Sequence, residues 1–397
     1  MVELLSLEEA QRRILEHVEP LPPETVGFEE AVGRVLAEDA VARTDLPPFD
    51  SSAMDGFAVR SGDTPGRLPV VARIAAGRPA PHELRAGQAM AIATGGVVPV
   101  GADAVIPIED VVEHDNAVEI PEQVEPEANV RPRGGDLVAG AVVVRAGMRL
   151  GAAQIGALAA AGIPDISSTR RPRAAVLSTG TELRRPGEAL LPGQIYEANG
   201  VILSAQLGSA GAEVGRLESV ADDERAHRNA LEAGLEADVL VTSGGVSVGP
   251  HDLVRSVGAG LGIEEVLWGV AVKPGKPLWF GVRDRTLVFG LPGNPVSSLV
   301  CFELFVRPAV LALQGAADPL PRFEPGTLTR AVRPNAARTE LMRARSRLVD
   351  GEVELEVLSG QESHMIARAA GADALVLVPA GDEELVAGSR VSFLRLA

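Results

Sequence analysis

The chain has 397 residues, 46% of them apolar, and its 54 acidic and 37 basic side chains give a net charge of −17. This length predicts several domains, and the apolar fraction excludes a disordered chain. The acidic balance argues against a nucleic-acid-binding surface, which needs clustered Lys and Arg. The single cysteine, Cys301, excludes an internal disulfide framework and a Cys-ligated zinc site, and it fits a reducing compartment.

The N-terminal segment and the apolar windows predict a cytoplasmic protein. Glu3 and Glu8 stand where a secretory signal would carry lysines before an apolar run. The most apolar windows, 151–163 and 296–313, are too short or are broken by charged residues and a proline. We therefore expect neither export nor a membrane span.

Helical and β-type patterns alternate over the first 170 residues. Ser6-Leu-Glu-Glu9 is a capping-box pattern that begins a helix predicted over 6–18, and a second helix is predicted over 28–37. Short β-type runs with Gly and Pro turns follow, and then the alanine-rich segment 151–162 predicts a helix that packs back on the first two. The prediction is a discontinuous helical domain, residues 1–45 with 147–170, around a β-rich inserted domain, residues 46–146.

Strand and helix signals alternate after Arg173, which predicts a doubly wound, mostly parallel sheet domain over 171–316. The strands are expected at 174–177, 214–220, 239–242, 265–272, 278–282 and 286–289, and the helices at 201–208, 224–235 and 295–314. Three later β-type runs, 352–358, 374–378 and 390–396, predict a C-terminal β-barrel or sandwich domain over 317–397. The fold class is therefore α/β and multidomain.

Ligands of a doubly wound sheet bind outside the carboxyl ends of its strands, so the loops there are the candidate site. Five of these loops have unusual sequences, namely Ser178-Thr-Gly-Thr-Glu182, Asp222-Asp223, Ser243-Gly-Gly-Val-Ser-Val-Gly249 running to Asp252, Lys273-Pro-Gly-Lys276 and Leu291-Pro-Gly-Asn-Pro-Val-Ser297. Glycines let backbone amides approach an oxyanion. A lone glycine-rich loop is more often a structural turn, but its position beside two lysines and the helix start at Asn294 favours anion binding.

Lys273 and Lys276 are the only lysines of the chain, since arginine occupies every other basic position. Codon bias with two chance survivors would explain this. The alternative is that the loop needs compact ammonium groups, which a planar guanidinium does not replace at an oxyanion.

The carboxylates of the same loops, Glu182, Asp222 and Asp252, suit Mg²⁺, which takes one or two carboxylates together with substrate phosphates. Helix N-capping is the alternative for Asp222 or Asp223, and also for Asp252. In the β-rich segment, the surroundings of Asp55, Ala93-Thr-Gly-Gly96 and Arg131-Pro-Arg-Gly-Gly-Asp136 are most simply turns and surface ion pairs.

Taken together, these residues resemble the MoeA family, the molybdopterin molybdenumtransferases, which includes the E domain of gephyrin-type proteins. The motifs occur in the family's order over nearly the whole chain. They are Ser52-Ala-Met-Asp-Gly56, Thr94-Gly95, Arg133-Gly-Gly-Asp136, Ser178-Thr-Gly-Thr-Glu-Leu183, Gly193-Gln-Ile-Tyr-Glu-Ala-Asn199, Thr242-Ser-Gly-Gly-Val-Ser-Val-Gly249, Lys273-Pro-Gly-Lys-Pro277 and Leu291-Pro-Gly-Asn-Pro-Val-Ser297.

The resemblance implies an L-shaped homodimer of four-domain chains, with the active cleft between the sheet domain of one chain and the β domain of its partner. It implies the insertion of molybdenum from molybdate into adenylylated molybdopterin, with release of AMP and with Mg²⁺ at the phosphoanhydride. Transient contact with the molybdopterin adenylyltransferase is also implied.

Site residues are carried over in the same way. The catalytic set is Asp55, Thr94, Asp136, Glu182, Asp222 and Asp252, of which the last three hold the metal. The substrate-binding set is Ser243, Gly244, Gly245, Ser247, Lys273, Lys276, Pro292, Asn294, Pro295, Ser297, Arg343 and Ser363. Two positions depart from the family: Ser51 stands where Asn is frequent, and Gly269 where Lys is frequent.

Two other functions fit part of the sequence. The adenylyltransferase of the same pathway shares a related sheet domain but lacks the Ser-Ala-Met-Asp-Gly domain and the C-terminal β domain. A scaffold that keeps the fold for partner binding would have no use for the intact carboxylates and lysines.

Overall fold

The first helix begins at the predicted capping residue. Ser6 Oγ accepts a hydrogen bond from the Glu9 amide at 3.1 Å, and the helix spans Leu7–Leu15. The structure is a computed structural model, and it describes residues 4–216, 220, 223–245 and 253–396. The helix packs Leu7 and Ile14 into the core of the sheet domain, which differs from the packing expected against the later alanine-rich helix.

The second helix is shorter than predicted and spans only Phe28–Ala31. Gly33 has a φ of 77°, a left-handed conformation that ends a helix, and Val35 and Leu36 then form bridges with Arg149 and Ser168. Backbone pairing with distant residues therefore overrides the local helical pattern, and the prediction beyond Ala31 was wrong.

The alanine-rich segment forms the helix Ala152–Ala160, close to the predicted bounds. Its Leu158 shares a small apolar core with Val26, Ala31 and Leu36, so this helix does pack against the second helix. Short two-stranded pairings complete the region. They are Pro23–Val26 with Ile166–Thr169, Ala40–Val41 with Val142–Val144, and Ser51–Ser52 with Val130–Arg131.

The inserted β-rich segment is built on one curled six-stranded sheet. Its strands, in spatial order, are Ala104–Pro107, Gly56–Val59, Ala89–Ile92, Gly66–Ile74, Ala117–Ile120 and Val112–His114. Alternate residues face opposite sides, so Phe57 and Val59 join one apolar cluster while Ala58 joins another. Two short 3₁₀ turns, Ser61–Asp63 and Ile108–Asp110, connect these strands.

The sheet domain contains a second six-stranded sheet, which is mostly parallel. Its strands, in spatial order, are Glu213–Arg216, Arg173–Ser178, Val239–Ser243, Thr286–Leu291, Trp279–Arg283 and Glu264–Trp268, and the first four run parallel. Val176 and Phe289 face one apolar core while Leu177 and Val288 face the other. Both faces are therefore buried, as a doubly wound sheet requires.

Four long helices cover this sheet, and a small strand pair lies at its edge. The helices are Asn199–Ser209, Glu224–Gly234, Leu253–Gly260 and the run Pro295–Leu313, which is α-helical over Pro295–Cys301 and Arg307–Leu313 with a π-helical turn over Phe302–Val306. The small pair joins Leu183–Arg184 to Ile195–Tyr196. Among the described residues, Pro295–Leu313 is the one helix long and apolar enough to cross a membrane, but its most apolar part is 78% buried within the protein.

The strand predicted over 265–272 is broken at Gly269, whose φ is 87°. Glu264–Trp268 remains in the sheet, whereas Val272–Lys273 pairs with Thr339 and Glu340 of the C-terminal part. The strand predicted over 214–220 ends at Arg216 in the described chain; Val220 forms an isolated bridge to Thr179, and 217–219 lie outside the described residues.

Five C-terminal strands close into the predicted barrel rather than a sandwich. They are Phe323–Leu328, Thr339–Val349, Glu352–Val357, Ala374–Val378 and Arg390–Arg395. Thr339–Val349 pairs on one side with Glu352–Val357 and on the other with Ala374–Val378, and the remaining pairings complete the closure. A short helix, Ile366–Ala369, lies between the third and fourth strands. The predicted α/β multidomain fold class is confirmed.

Candidate functional site

A cavity of about 530 Å³ opens at the carboxyl ends of the central strands of the sheet domain. Its lining comes from the loops at 178–183, 195–199, 243–245 and 293–295, together with His364 and Ile366 from the C-terminal part. This is where a doubly wound sheet binds ligands, so the cavity lies where the sequence placed the site.

Asn199, at the start of a helix, ties together two of the loops that line the cavity. Its Nδ2 donates to Ser243 Oγ and to the Gly293 carbonyl, each at 2.7 Å. Ser298 Oγ donates to the Pro292 carbonyl at 2.5 Å. Asn199 ends the motif that begins at Gly193, but the sequence predicted no role for it. The available signal was an amide side chain directly after the cavity-facing segment.

The glycines after the Val239–Ser243 strand allow close backbone packing. Gly244 has a φ of 92°, and a Cβ there would lie 2.7 Å from Thr179 Oγ1. The Gly244 amide donates to the Leu291 carbonyl at 3.1 Å, so this amide is used within the protein. The predicted anion-binding loop runs from Ser243 to Gly249, and the structure describes it as far as Gly245. Ser247 lies outside the described residues.

The start of the long helix is covered by a loop from the C-terminal barrel. Asn294, the N-cap residue, donates from Nδ2 to Ser363 Oγ at 2.9 Å, and the Val296 amide donates to the Ser363 carbonyl at 3.0 Å. Pro295 is the first helical residue, and Ser297 is buried behind it. The predicted residues Asn294 and Ser363 are thus in direct contact, and Asn294 lines the cavity.

Arg343 lies beneath that loop and is only 2% exposed. Its Nη1 donates to the Met365 carbonyl at 2.8 Å, and its Nη2 donates to the carbonyls of Gly360 at 2.7 Å and Glu362 at 3.2 Å. Burial lowers the pKa of the Arg343 guanidinium. Arg343 does not line the cavity, although the family resemblance implies a substrate-binding role for it.

Two carboxylates line the cavity, and they differ in exposure and in hydrogen bonding. Glu182 is exposed at the rim, whereas Glu197 is only 3% exposed and accepts from Ser178 Oγ at 3.0 Å and from the Gly200 amide at 2.5 Å. The other two predicted metal ligands, Asp222 and Asp252, lie outside the described residues. Within the described ranges no three His, Cys, Asp or Glu side chains gather closely enough to hold a metal.

The two lysines do not line this cavity. Lys273 Nζ pairs with Glu340 Oε1 at 2.9 Å, and Lys276 is exposed. Gly275 lies between the two lysines, and its carbonyl contacts Cys301 Sγ at 3.6 Å. The lysine loop therefore packs beside Cys301, six positions after Pro295 in the long helix. At 1.5 Å per residue, that is about 9 Å along the helix axis from the cavity wall. Among the described residues, Glu182 lines the cavity and neither lysine does.

Asp55 and Thr94, both predicted catalytic residues, form one contact in the β-rich segment. Asp55 Oδ1 accepts from the Thr94 amide at 2.7 Å and from Thr94 Oγ1 at 3.0 Å, and these hydrogen bonds lower the pKa of Asp55. Asp136 is exposed. Arg133, three positions earlier, forms its ion pair with Asp45 and not with Asp136. No residue of 46–146 lines the cavity of the same chain.

Comparison with known proteins gives the class of protein to which this fold and cavity belong. Residues 175–312, which contain the cavity loops of the sheet domain, match the probable molybdopterin binding domain. Residues 5–162 match the MoeA N-terminal region (domain I and II), and residues 325–396 match the MoeA C-terminal region (domain IV).

Relatives match along the whole chain. Molybdopterin molybdenumtransferase 2 of Mycobacterium tuberculosis is 36% identical over 97% of this chain and 98% of its own length. The molybdopterin molybdenumtransferase of Haemophilus influenzae is 34% identical over 98% of each. A crystal structure of the molybdopterin biosynthesis MoeA protein from Pyrococcus horikoshii OT3 superposes with a TM-score of 0.85 at 28% identity, covering 99% of this chain and 100% of that one. The chain belongs to the MoeA family, as the motifs predicted.

Proposed function

We propose that this chain is a molybdopterin molybdenumtransferase of molybdenum cofactor biosynthesis. It inserts molybdenum from molybdate into adenylylated molybdopterin and releases AMP. The observation that carries the proposal is the end-to-end match to enzymes of that name, at 34–36% identity, with the inserted β segment and the C-terminal barrel included. We place the reaction in the cytoplasm.

The cavity of the sheet domain is the proposed site for the adenylylated substrate. It has room for a small organic ligand, since ligand pockets range from about 300 to 1,000 Å³. Polar groups of Asn199, Ser243 and Asn294 line its walls. The hydrogen bonds that join these loops hold the polar groups in place before the ligand arrives, so less order must be created on binding.

Glu182 is the described carboxylate that could hold Mg²⁺. It is exposed at the cavity rim, and Mg²⁺ needs only one or two carboxylates when substrate phosphates supply further oxygens. Asp222 and Asp252 remain the proposed additional ligands. Bound there, Mg²⁺ would neutralise charge on the phosphoanhydride as AMP leaves.

Lys273 and Lys276 remain the proposed molybdate contacts, although neither lines the cavity proposed for the adenylylated substrate. Molybdate is a tetrahedral dianion, and Lys276 is exposed and able to approach it. Lys273 is half-exposed despite its pair with Glu340.

We further propose a homodimer in which Asp55, Thr94 and Asp136 of one chain face the cavity of the other. None of these residues lines the cavity of its own chain, yet the Asp55 carboxylate is held charged by the two hydrogen bonds from Thr94. The substrate-delivering adenylyltransferase would contact the same cleft only transiently.

The test is AMP release by the purified chain from adenylylated molybdopterin. We expect release to require both molybdate and Mg²⁺, and we expect the product to activate a cofactor-free molybdenum enzyme. AMP release at the same rate without molybdate would contradict the proposed transfer.

The alternative adenylyltransferase is tested with molybdopterin and ATP in place of the adenylylated substrate. Formation of adenylylated molybdopterin by this chain would favour that alternative. A chain inactive in both assays would favour the scaffold.

A further inference from the structure

Residues 358–366 of the C-terminal barrel form a loop that supplies one wall of the cavity. We call it the wall loop. It follows the strand Glu352–Val357 and carries His364 to the cavity and Ser363 to the start of the helix Pro295–Leu313. Of the described residues that line the cavity, all those outside this loop belong to the sheet domain. The position of the wall loop therefore determines the shape of the site.

The wall loop is wrapped around the side chain of Arg343. Three carbonyl oxygens of the loop, those of Gly360, Glu362 and Met365, accept hydrogen bonds from the guanidinium at 2.7–3.2 Å. These carbonyls belong to successive parts of the loop, so one side chain fixes its whole curvature. A guanidinium presents five donors in a rigid fork, which suits this task.

Gln361 completes the arrangement from within the loop. Its Nε2 donates to the carbonyls of Arg343 at 2.9 Å and Leu358 at 2.8 Å, and its Oε1 accepts from the Arg343 amide at 3.0 Å. Gly360 allows the turn because its φ is 74°, and a Cβ there would lie 2.7 Å from Arg368 Cδ. Neither Arg343 nor Gln361 lines the cavity.

We propose that Arg343 is a positioning residue: it acts through the wall loop, and it does not bind the oxyanion directly. The buried guanidinium donates three hydrogen bonds to main-chain carbonyls of the loop and a fourth, at 3.4 Å, to Gln361 Oε1, so it has little left to offer a dianion. Its replacement therefore loosens the wall formed by His364 and Ile366, which weakens the binding of adenylylated molybdopterin. This inference rests on the proposed function only for the identity of that ligand.

Two variants with one control test the proposal. Arg343→Lys keeps the charge, but an ammonium cannot reach carbonyls on both sides of the loop. Gln361→Met keeps the volume and leaves Arg343 intact while removing the second set of hydrogen bonds. Glu362→Gln is the control, because only the main-chain carbonyl of Glu362 contacts Arg343.

The first measurement is amide hydrogen exchange of residues 358–366 in the ligand-free chain. We expect Arg343→Lys and Gln361→Met to raise the exchange rate there by about tenfold or more, with no change in the Val239–Ser243 strand and none for Glu362→Gln. Unchanged exchange in both variants would overturn the proposal. This measurement needs no substrate, so it decides the matter even if the transferase activity is absent.

The second measurement is steady-state AMP release. We expect both variants to raise KM for adenylylated molybdopterin by about fivefold or more while kcat changes less than about twofold. If Arg343→Lys instead raises KM for molybdate alone and Gln361→Met behaves as wild type, then Arg343 binds the oxyanion and the proposal is wrong. Gln361→Met also covers the case in which Arg343→Lys fails to fold.

Discussion

The ammonium of Lys273 lies 2.9 Å from the carboxylate of Glu340, and this pair joins the sheet domain to the C-terminal barrel. The Glu340 side chain is 5% exposed, so it depends on Lys273 to compensate its charge. Lys276, three residues on, is exposed. The two lysines of the chain therefore differ in their effect on stability even if both contact molybdate.

Replacing each lysine separates these effects. We expect Lys273→Ala to reduce the free energy of unfolding by about 1–3 kcal/mol, because it leaves a buried carboxylate without its partner. Lys276→Ala should change it by less than about 0.5 kcal/mol. Both should slow AMP release. Urea unfolding of the two variants checks the contrast, and the double variant Lys273→Ala/Glu340→Gln should recover most of the loss. Equal destabilisation by the two lysine changes would contradict this.

Thr94 should control the ionisation of Asp55. Its two hydrogen bonds favour the charged carboxylate and lower the pKa of Asp55. The stability that they add is therefore fully present above the ordinary Asp pKa of about 3.9 and is lost as pH falls through the lowered value.

Thr94→Val removes the hydroxyl donor but keeps the amide, so we expect the pKa of Asp55 to rise part of the way to its ordinary value. A carboxyl-carbon NMR titration measures it. Ser52→Ala is the control, because Ser52 Oγ donates to the Met54 carbonyl and not to Asp55. An Asp55 pKa that is the same in Thr94→Val and wild type would show that the hydroxyl contributes nothing.

Gln11 supplies a hydrogen bond that the long helix cannot make for itself. Pro308 has no N–H to donate to the Leu304 carbonyl four residues earlier, and Gln11 Nε2 donates to that carbonyl at 2.9 Å. We expect Gln11→Leu to reduce the free energy of unfolding by about 1–3 kcal/mol.

The same change should cost less in a Pro308→Ala background, because residue 308 then has its own N–H. A double-mutant cycle by denaturant unfolding measures the difference. A loss from Gln11→Leu that is independent of residue 308 would mean that packing of the side chain, not its hydrogen bond, is responsible.

Cys301 should be chemically silent in the folded chain. It is fully buried, and burial raises the pKa of its thiol to about 12. At pH 8 we therefore expect no reaction with Ellman's reagent in the native state and one thiol per chain after denaturation. Rapid labelling of the native chain would show that the core around the long helix opens readily.

Local sequence patterns predicted the elements that depend on local signals. The capping residue Ser6, the strand Ala374–Val378 and the helix beginning at Pro295 lie where the pattern placed them. The helix predicted to Ala37 failed because residues 35 and 36 pair with residues more than one hundred positions away. Such pairing leaves no trace in a short window of sequence.

For the candidate site too, local patterns predicted the loops but not the contacts between distant residues. Strand-end loops such as 178–182 and 243–245 can be placed from the alternation of strands and helices alone. The clamp of Arg343 on the wall loop could not be predicted, because it depends on three main-chain carbonyls whose directions follow from the loop's own curvature. The assignment of Arg343 to substrate binding came from the family resemblance and from no pattern in the sequence itself.

The measurement that tests the account most directly is activity in mixed dimers of Asp55→Ala and Glu182→Gln chains. In the proposed dimer, Asp55 of one chain and Glu182 of the other belong to the same site, so each variant alone should be nearly inactive in AMP release. After the two are unfolded, mixed in equal amounts and refolded, half of the dimers should be mixed, and each of these should contain one intact site. About a quarter of the wild-type activity should therefore return. No recovery, although mixed dimers have formed, would contradict a site shared between two chains.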